Sequence, residues 1–595
     1  MLYFIYNNLK AMTKFYEVRK RDGAARIGQL QLSEVTQTPL MLTVEHAEEL
    51  KELIAADTNF NDLASDETCN APRGAVLLPE VHPLFTKNEA HRSADFFVLA
   101  FASNMLNSPR DFVHRVINAR NTIPPDVALW VPAIATAENA ALLFYLGVDI
   151  IDNLNAVIKG YQGIYQMEEG ELSLSEMEEL PCNCSVCYSM SIDELREKED
   201  QALLIAKHNE LLLAKELKKV TARIRAGNLR EYVEMRARAS TFLTAVLRIM
   251  DFKEEKYFEL RTPVARKQCM IANTMESLKR IEVKRFANRV IERYEPPVRQ
   301  ILLLLPCSAR KPYSKSHSHK KFIDAIGTYR GCIHELILTS PLGVVPRELE
   351  VVYPAAFYDI PVTGYWDAEE REWVSSCLRA YLNRNRGNYE LIVAHFSGAY
   401  KDICSSVADD LGIEIRYTCE EDENATSRKA LDRLSAEIAA LGSESQLGFE
   451  QKASVIRAIA DYQFGIGAGR ELVTQREGER IKIRGKFPLY KLSLDGEVIA
   501  RIVPEYGSLA LSISGAHRIS NMLTSYTVEI GDFVPKGSVL APGVVNANEQ
   551  IRVNDEVIFC GAKAFGVGRA KMSGWEMVES RRGAAVQVRA VEGTE

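Results

Sequence analysis

Alternation of apolar and polar positions divides the chain into stretches of different period. Residues 15–44 alternate on either side of Asp22-Gly23, which predicts a β-hairpin whose second strand runs over residues 25–32. Over residues 74–151, short apolar runs (75–78, 96–100 and 128–131) alternate with helical stretches, as in a (β/α) barrel. That span is too short for eight such units, which take roughly 250 residues. Residues 192–288 are highly charged, with apolar positions such as Leu211, Leu212, Leu217 and Val220 at helical spacing, and predict amphipathic helices. From 299 to 419 the order is strand, helix, strand with polar loops at the strand ends, the pattern of a doubly wound α/β domain. After an acidic run at 420–423 the chain is mostly helical to 478. The FGIGAG string at 464–469 follows a helix rather than a strand, so it reads as a linker turn and not as a dinucleotide loop. Residues 480–592 switch to alternating β segments, with a hairpin turn at Asp495-Gly496.

The apolar run at 301–305 is where chemistry gathers. It stops at Pro306 and is followed by a loop holding Cys307, Ser308, Arg310, Lys311, Tyr313 and Lys315. A helix then starts at a cap supplied by Ser316 or Ser318 and ends at Gly327. Between 296 and 323 there are six cations (Arg299, Arg310, Lys311, Lys315, Lys320, Lys321) and no carboxylate. A cysteine beside Lys or Arg and a helix N-terminus has its pKa drawn below about 8.5, and the thiolate is the nucleophilic form. The residues alone equally describe a buried, inert thiol next to a solvated basic loop. Arg347, Glu348, Tyr358, Asp359 and His395 are further candidates for the same pocket.

Composition narrows the class only a little. At 595 residues the chain holds about four domains, and 47% apolar with 26% charged residues is ordinary for packed globular protein. The net charge of −7 does not announce nucleic acid, but residues 480–595 carry 15 Lys and Arg against 12 Asp and Glu, leaving the remainder at −10. Eight of the eleven cysteines are scattered, as in a reducing cytoplasm. The apolar opening at 1–10 is too short to span a membrane, no small-residue cleavage site follows it, and Met12 is an alternative start. Cys182, Cys184 and Cys187 (CNCSVC), together with His208, have the ligand types of a structural zinc site, whose four protein ligands leave no open position.

The ordered string PCxxxKPYxxSxxH, here Pro306, Cys307, Lys311, Pro312, Tyr313, Ser316 and His319, resembles the signature of archaeosine synthases, paralogues of archaeal tRNA-guanine transglycosylase. The likeness extends along nearly the whole chain. Asp22-Gly23 and Thr38-Pro39 are similar to the family's opening, and CxCxxC with His208-Asn209 resembles the transglycosylase zinc site. Asp152, in LGVDIIDN, falls on the transglycosylase nucleophile, and the stretch ending in AFGVGRAKMSGWEM at 564–577 resembles a PUA domain. A working transglycosylase also needs an upstream Asp-Ser-Gly-Gly-Phe-Gln segment, which this chain lacks. Asp152 is therefore read as structural. Base exchange and a non-catalytic tRNA-binding scaffold remain the alternative functions.

The resulting fold class is α/β multidomain. It comprises a degenerate TIM-barrel-like transglycosylase domain with a zinc subdomain (1–280), a doubly wound signature domain (299–420), a helical connector (421–478) and a C-terminal β-barrel PUA domain (479–592). The resemblance implies a cytoplasmic enzyme acting on tRNA that carries 7-cyano-7-deazaguanine in its D-loop. It would add nitrogen from lysine or glutamine to the nitrile. In the lysine case a separate radical S-adenosylmethionine partner would cleave the adduct, since no CxxxCxxC motif occurs in this chain. Cys307 is the expected nucleophile, His319 the expected proton donor, and Lys311 and Arg310 the field around the thiolate, with Tyr313 and Ser316 completing the site. Lys536, Arg552, Arg569 and Lys571 are the expected RNA phosphate contacts. The resemblance also leaves room for a homodimer through the zinc-bearing helical region.

Overall fold

The computed structural model describes residues 16–31, 35–43, 74–77, 95–361, 365–442, 448–523 and 525–593. The opening at 1–10, with Met12, lies outside them. The chain forms two compact units. One consists of the chain up to Thr262 with 540–544 and 575–585; the other consists of 263–539, 545–574 and the residues from 586 onward. No described helix is long and apolar enough to cross a membrane.

In the first unit, Tyr16–Asp22 and Ala25–Gln31 pair antiparallel around Asp22-Gly23, and Val35–Thr38 adds a third strand. Gly23 takes the positive φ of 65° that the turn requires. A second sheet holds five parallel strands in the order Leu40–Leu42, Ile150–Asp152, Ala128–Trp130, Phe96–Leu99, Gly74–Leu77. Among the described residues this sheet has five parallel strands, against the eight of a closed barrel. Tyr16, Leu30, Leu42, Phe96, Trp130 and Ile150 form its buried core. Beyond it lie the small hairpin Ile164–Gln166/Glu171–Ser173 and the 26-residue helix Gln201–Ala226.

The second unit contains the signature domain. Its strands are β1 (Ile301–Pro306), β2 (Ile333–Thr339), β3 (Gly343–Pro346), β4 (Leu391–Ala394) and β5 (Arg416–Tyr417). They lie in the order β3-β2-β1-β4-β5, all parallel except the antiparallel edge strand β3. Helices α1 (His317–Ile326), α2 (Ala368–Asn385) and α3 (Ala399–Leu411) are its main helices. Residues 301–305 are wholly buried, which explains their unbroken apolar run. The strand order reverses between β1 and β4, and open α/β sheets bind ligands at such a switch point, outside the carboxyl ends of the strands.

The C-terminal region differs from a single PUA domain beginning at 479. Ile481–Arg484, Lys491–Leu494, Glu497–Val503 and Ser508–Leu511 make a separate four-stranded antiparallel sheet, followed by the helix Ile513–Ser520. A six-stranded sheet only then begins, with Thr527–Ile530, Glu556–Gly561, Ala564–Ala570 and Ala584–Gly593 among its strands. Both sheets alternate with period two, so periodicity could not divide them. Asp495 and Gly496 do form the expected turn, with φ of 51° and 99°.

Gly507 locks the four-stranded sheet to the segment after β3. Its φ is 62°, and a Cβ there would lie 1.8 Å from the carbonyl oxygen of Val351. Gly507→Ala should cost roughly 2–4 kcal/mol, measured by urea unfolding of the full chain.

Candidate functional site

β1 delivers Cys307 to the switch point, where the thiol is half-buried. The residue before it is pinned: the Pro306 carbonyl accepts a hydrogen bond from His319 Nε2 at 3.0 Å. His319 sits in the first turn of α1, whose N-cap is Ser316; the Ser316 hydroxyl accepts the His319 N–H at 3.2 Å. The other ring nitrogen, Nδ1, accepts from the Arg347 guanidinium at 2.8 Å. A guanidinium only donates, so this pairing fixes the proton on Nε2. Arg347 in turn bonds Glu335 (Nε to Oε2, 2.9 Å) and Glu350 (3.0 Å), all three side chains being buried. Burial first, and the Arg347 charge second, push the His319 pKa down to about 3. The ring is thus a neutral, fully bonded, buried strut. The resemblance implies a proton donor to substrate at this position; both ring nitrogens are already engaged.

The thiol's own partner is Tyr400, in the first turn of α3, whose hydroxyl lies 3.1 Å from Cys307 Sγ. Burial, with Cys307 adding to it, raises the Tyr400 pKa, so the phenol keeps its proton. A cleft of about 380 Å³ opens over this pair, walled by Trp366, Tyr365, Ser340, Asp367, Glu370 and the turn at Ser397-Gly398. Trp366 packs edge-on against Tyr400 at 4.8 Å. Gly398, with φ of 61°, turns the chain from β4 into α3.

The expected cations do not line the cleft. Arg310 is exposed, and Lys311 places Nζ 3.9 Å over the Tyr358 ring. Burial lowers the Lys311 pKa while Cys307 and Asp359 pull it the other way, so Lys311 lies within electrostatic reach of the thiol. Tyr313 is buried and shares a 2.6 Å bond with Tyr358, which reaches Thr339 at 2.6 Å. Among the further candidates, Glu348 bonds Tyr294, His395 bonds Thr418 and the Ala425 carbonyl, and Asp359 is exposed. Trp366, Asp367, Glu370 and Tyr400 were not singled out from sequence. The signal for Tyr400 was its place in the polar loop after β4.

In the first unit, the Asp152 carboxylate accepts from Trp130 Nε1 (3.1 Å) and from the backbone N–H groups of Ala133 (3.0 Å) and Leu154 (3.1 Å). It is buried and saturated, as a structural aspartate would be. Cys182, Cys184, Cys187 and His208 converge, with all ligand atoms within 4.8 Å of one another. Cys184 and Cys187 sulfurs are 3.6 Å apart, and His208 Nδ1 is 3.5 and 3.4 Å from them. A tetrahedron with metal–sulfur bonds of about 2.3 Å and metal–nitrogen bonds of about 2.0 Å has edges of about 3.8 and 3.5 Å. His208 Nε2 donates to the Gln166 carbonyl at 2.9 Å, which leaves Nδ1 free for a metal. The donor set therefore fits a metal ion.

Among the expected RNA contacts, Lys536 and Lys571 are exposed, and Arg569 lies 4.0 Å over the Tyr506 ring. Partial desolvation lowers the pKa of the otherwise solvent-facing Lys571, and the charges of Arg569 and Lys267 lower it further, so the three cations share one neighbourhood. Arg552 differs: it is buried and donates to the Ile551 carbonyl, so it holds a turn rather than a phosphate.

Comparison with known proteins places this arrangement. The chain is 42% identical to archaeosine synthase subunit alpha of Methanosarcina acetivorans, over 98% of this chain and 100% of that protein. It is 40% identical to archaeosine synthase of Haloferax volcanii, again over 98% and 100%. The chain belongs to the archaeosine synthase family. It is also 28% identical to a tRNA-guanine(15) transglycosylase of Methanothermobacter thermautotrophicus, covering 81% of this chain and 68% of that one. Family models divide the chain as its sheets do. Queuine tRNA-ribosyltransferase matches residues 87–241, a domain of unknown function (DUF5591) matches 283–438, the patch-forming domain C2 of tRNA-guanine transglycosylase matches 454–525, and the PUA domain matches 528–591. The four-stranded sheet lies within the stretch that matches the C2 model.

The buried histidines carry a pH signature. His319 near 3 and His395 near 4 both titrate below the value of about 6.5 for unfolded histidine. The unfolded chain therefore takes up more protons, and their contribution is complete above about pH 6.5 and drains as pH falls toward 4 and then 3. Urea midpoints should fall between pH 7.5 and 5. Arg347→Ala, which strands two buried carboxylates, should cost about 3–5 kcal/mol at pH 7.5 in the same assay.

Proposed function

We propose that this chain is a tRNA-modifying transferase of archaeosine biosynthesis, adding an amine nitrogen to the nitrile of 7-cyano-7-deazaguanine in tRNA. The observation that carries the reading is the Cys307–Tyr400 pair, 3.1 Å apart, at the strand switch point beneath a cleft with aromatic walls. A base swung out of the RNA stack would rest against Trp366 and Tyr365 and bring its nitrile to the sulfur. Cys307 sulfur bonds the nitrile carbon as its proton passes to the Tyr400 oxygen, while Tyr400 hands its own proton to the nitrile nitrogen that takes up the π electrons, giving a thioimidate and a neutral phenol. An amine then adds to the same carbon and expels the thiolate, which leaves an amidine. His319, Ser316 and Arg347 set the position of Cys307, while Lys311, Tyr313 and Tyr358 form the supporting wall behind it.

The saturated Asp152 favours this reading over base exchange. The Cys182, Cys184, Cys187 and His208 set is assigned to zinc, held by four protein ligands and so structural. Arg569, Lys571 and Lys267 beside Tyr506 suit contacts to RNA phosphates, with Lys536 a further solvent-facing cation.

Cys307→Ala should lower turnover on nitrile-bearing tRNA more than 10³-fold without weakening tRNA binding. Tyr400→Phe should cost about 10²-fold in kcat. Full turnover by Cys307→Ala contradicts the covalent route. Elemental analysis should find one zinc per chain, and Cys184→Ser should lose the metal and lower Tm.

A further inference from the structure

The cleft over Cys307 has a charge that the surrounding sequence does not suggest. Among the described residues lining it, the only charged side chains are Asp367 and Glu370; no lysine or arginine takes part. The six cations of the neighbouring loop and helix all lie outside it. Lys279, on an adjoining segment, is held by Glu369 at 2.6 Å. The other titratable groups in the wall are Cys307, Tyr365 and Tyr400. An acidic chamber of this kind repels a phosphate and attracts a cation.

Both carboxylates are fixed. Asp367 caps α2, its Oδ1 accepting the Glu370 N–H at 2.9 Å, and Glu370 Oε2 accepts the Asp367 N–H at 3.2 Å. This reciprocal box accounts for one bond at each of these oxygens. Glu370 Oε1 is also anchored by the Ser340 hydroxyl at 2.6 Å, from the loop after β2. A carboxylate oxygen accepts two bonds, so Glu370, which lines the cleft, keeps acceptor capacity while its position stays locked. Nothing in helix capping requires a cleft free of cations, nor a second anchor from the far side of it.

Resting on the reaction proposed above, we infer that Asp367 and Glu370 select the donor as a primary alkylammonium and that Glu370 is the base that deprotonates it. The ammonium enters between the two carboxylates. Glu370 takes one proton from nitrogen, and the nitrogen lone pair forms the new C–N bond at the thioimidate carbon. The C–S bond then breaks, Cys307 leaves as thiolate, and the amidine retains the remaining protons. A neutral amide nitrogen has no such proton to give and gains nothing from the acidic wall.

The test is steady-state kinetics of the full chain on nitrile-bearing tRNA, with L-lysine and methylamine as amine probes and acetamide as the amide probe. Gln and Asn both preserve the capping box, so Glu370→Gln and Asp367→Asn should fold. Glu370→Gln should lower kcat with either amine by about 10²–10⁴-fold at pH 7. The loss should shrink as pH rises toward about 10.4, where the amine deprotonates unaided. Asp367→Asn should raise the donor KM about tenfold with kcat little changed. The inference is overturned if Glu370→Gln stays within threefold of wild type, if its loss is the same at every pH, or if wild type accepts only the amide probe. Wild type inert with all three probes would instead sink the reaction proposed above.

Discussion

Everything at the candidate site depends on the hydrogen bond from His319 to the Pro306 carbonyl. That bond stops β1 at a defined point and fixes where the next residue, Cys307, emerges. The bond is reliable because the imidazole has no alternative. Arg347 occupies Nδ1 as a donor, so the only ring proton is on Nε2 and faces the carbonyl. Arg347 is held against two buried glutamates, and the desolvation of three charges is offset only while all three stay together. A polar network of this kind is costly to disturb, which suits the task of placing one sulfur within 3.1 Å of one phenol.

The same arrangement separates charge by sign. Cations gather on the loop and helix after β1, while the cleft itself shows carboxylates. Lys311 spends its charge on the Tyr358 ring, a contact of about 0.5–2 kcal/mol. It remains close enough to Cys307 to be felt, from behind the wall rather than within the chamber. Such a layout keeps a positive charge near the sulfur without filling the cleft with lysines. In the first unit the opposite has happened: Asp152, placed at a strand end where a sheet of this kind does chemistry, is filled by Trp130 and two backbone donors.

What the sequence made legible was local. The buried run ending at Pro306, the Ser316 cap, the Gly327 stop and the Cys₃His spacing each involve residues close along the chain or of unmistakable type, and each stands in the structure as expected. What stayed hidden needed long-range pairing. Tyr400 reaches Cys307 only because β4 lies beside β1, 93 positions on, and Glu370 reaches the cleft through α2. Sequence composition counted cations near Cys307 but could not show that their side chains turn away from the cleft. His319 looked catalytic because histidine in a polar stretch often is, and only the Arg347 contact reveals a strut. The boundary between the C2 and PUA sheets was equally illegible, because two β-domains in succession share one periodicity.

The central claim is that Cys307, so held, bonds covalently to the nitrile carbon. The most direct measurement is mass spectrometry of tryptic digests after the full chain is incubated with nitrile-bearing tRNA and no amine donor. The account predicts a nucleobase adduct on the peptide containing Cys307, absent from Cys307→Ala and diminished in Tyr400→Phe. Complete absence of any adduct on that peptide, while turnover proceeds normally once donor is added, would contradict it.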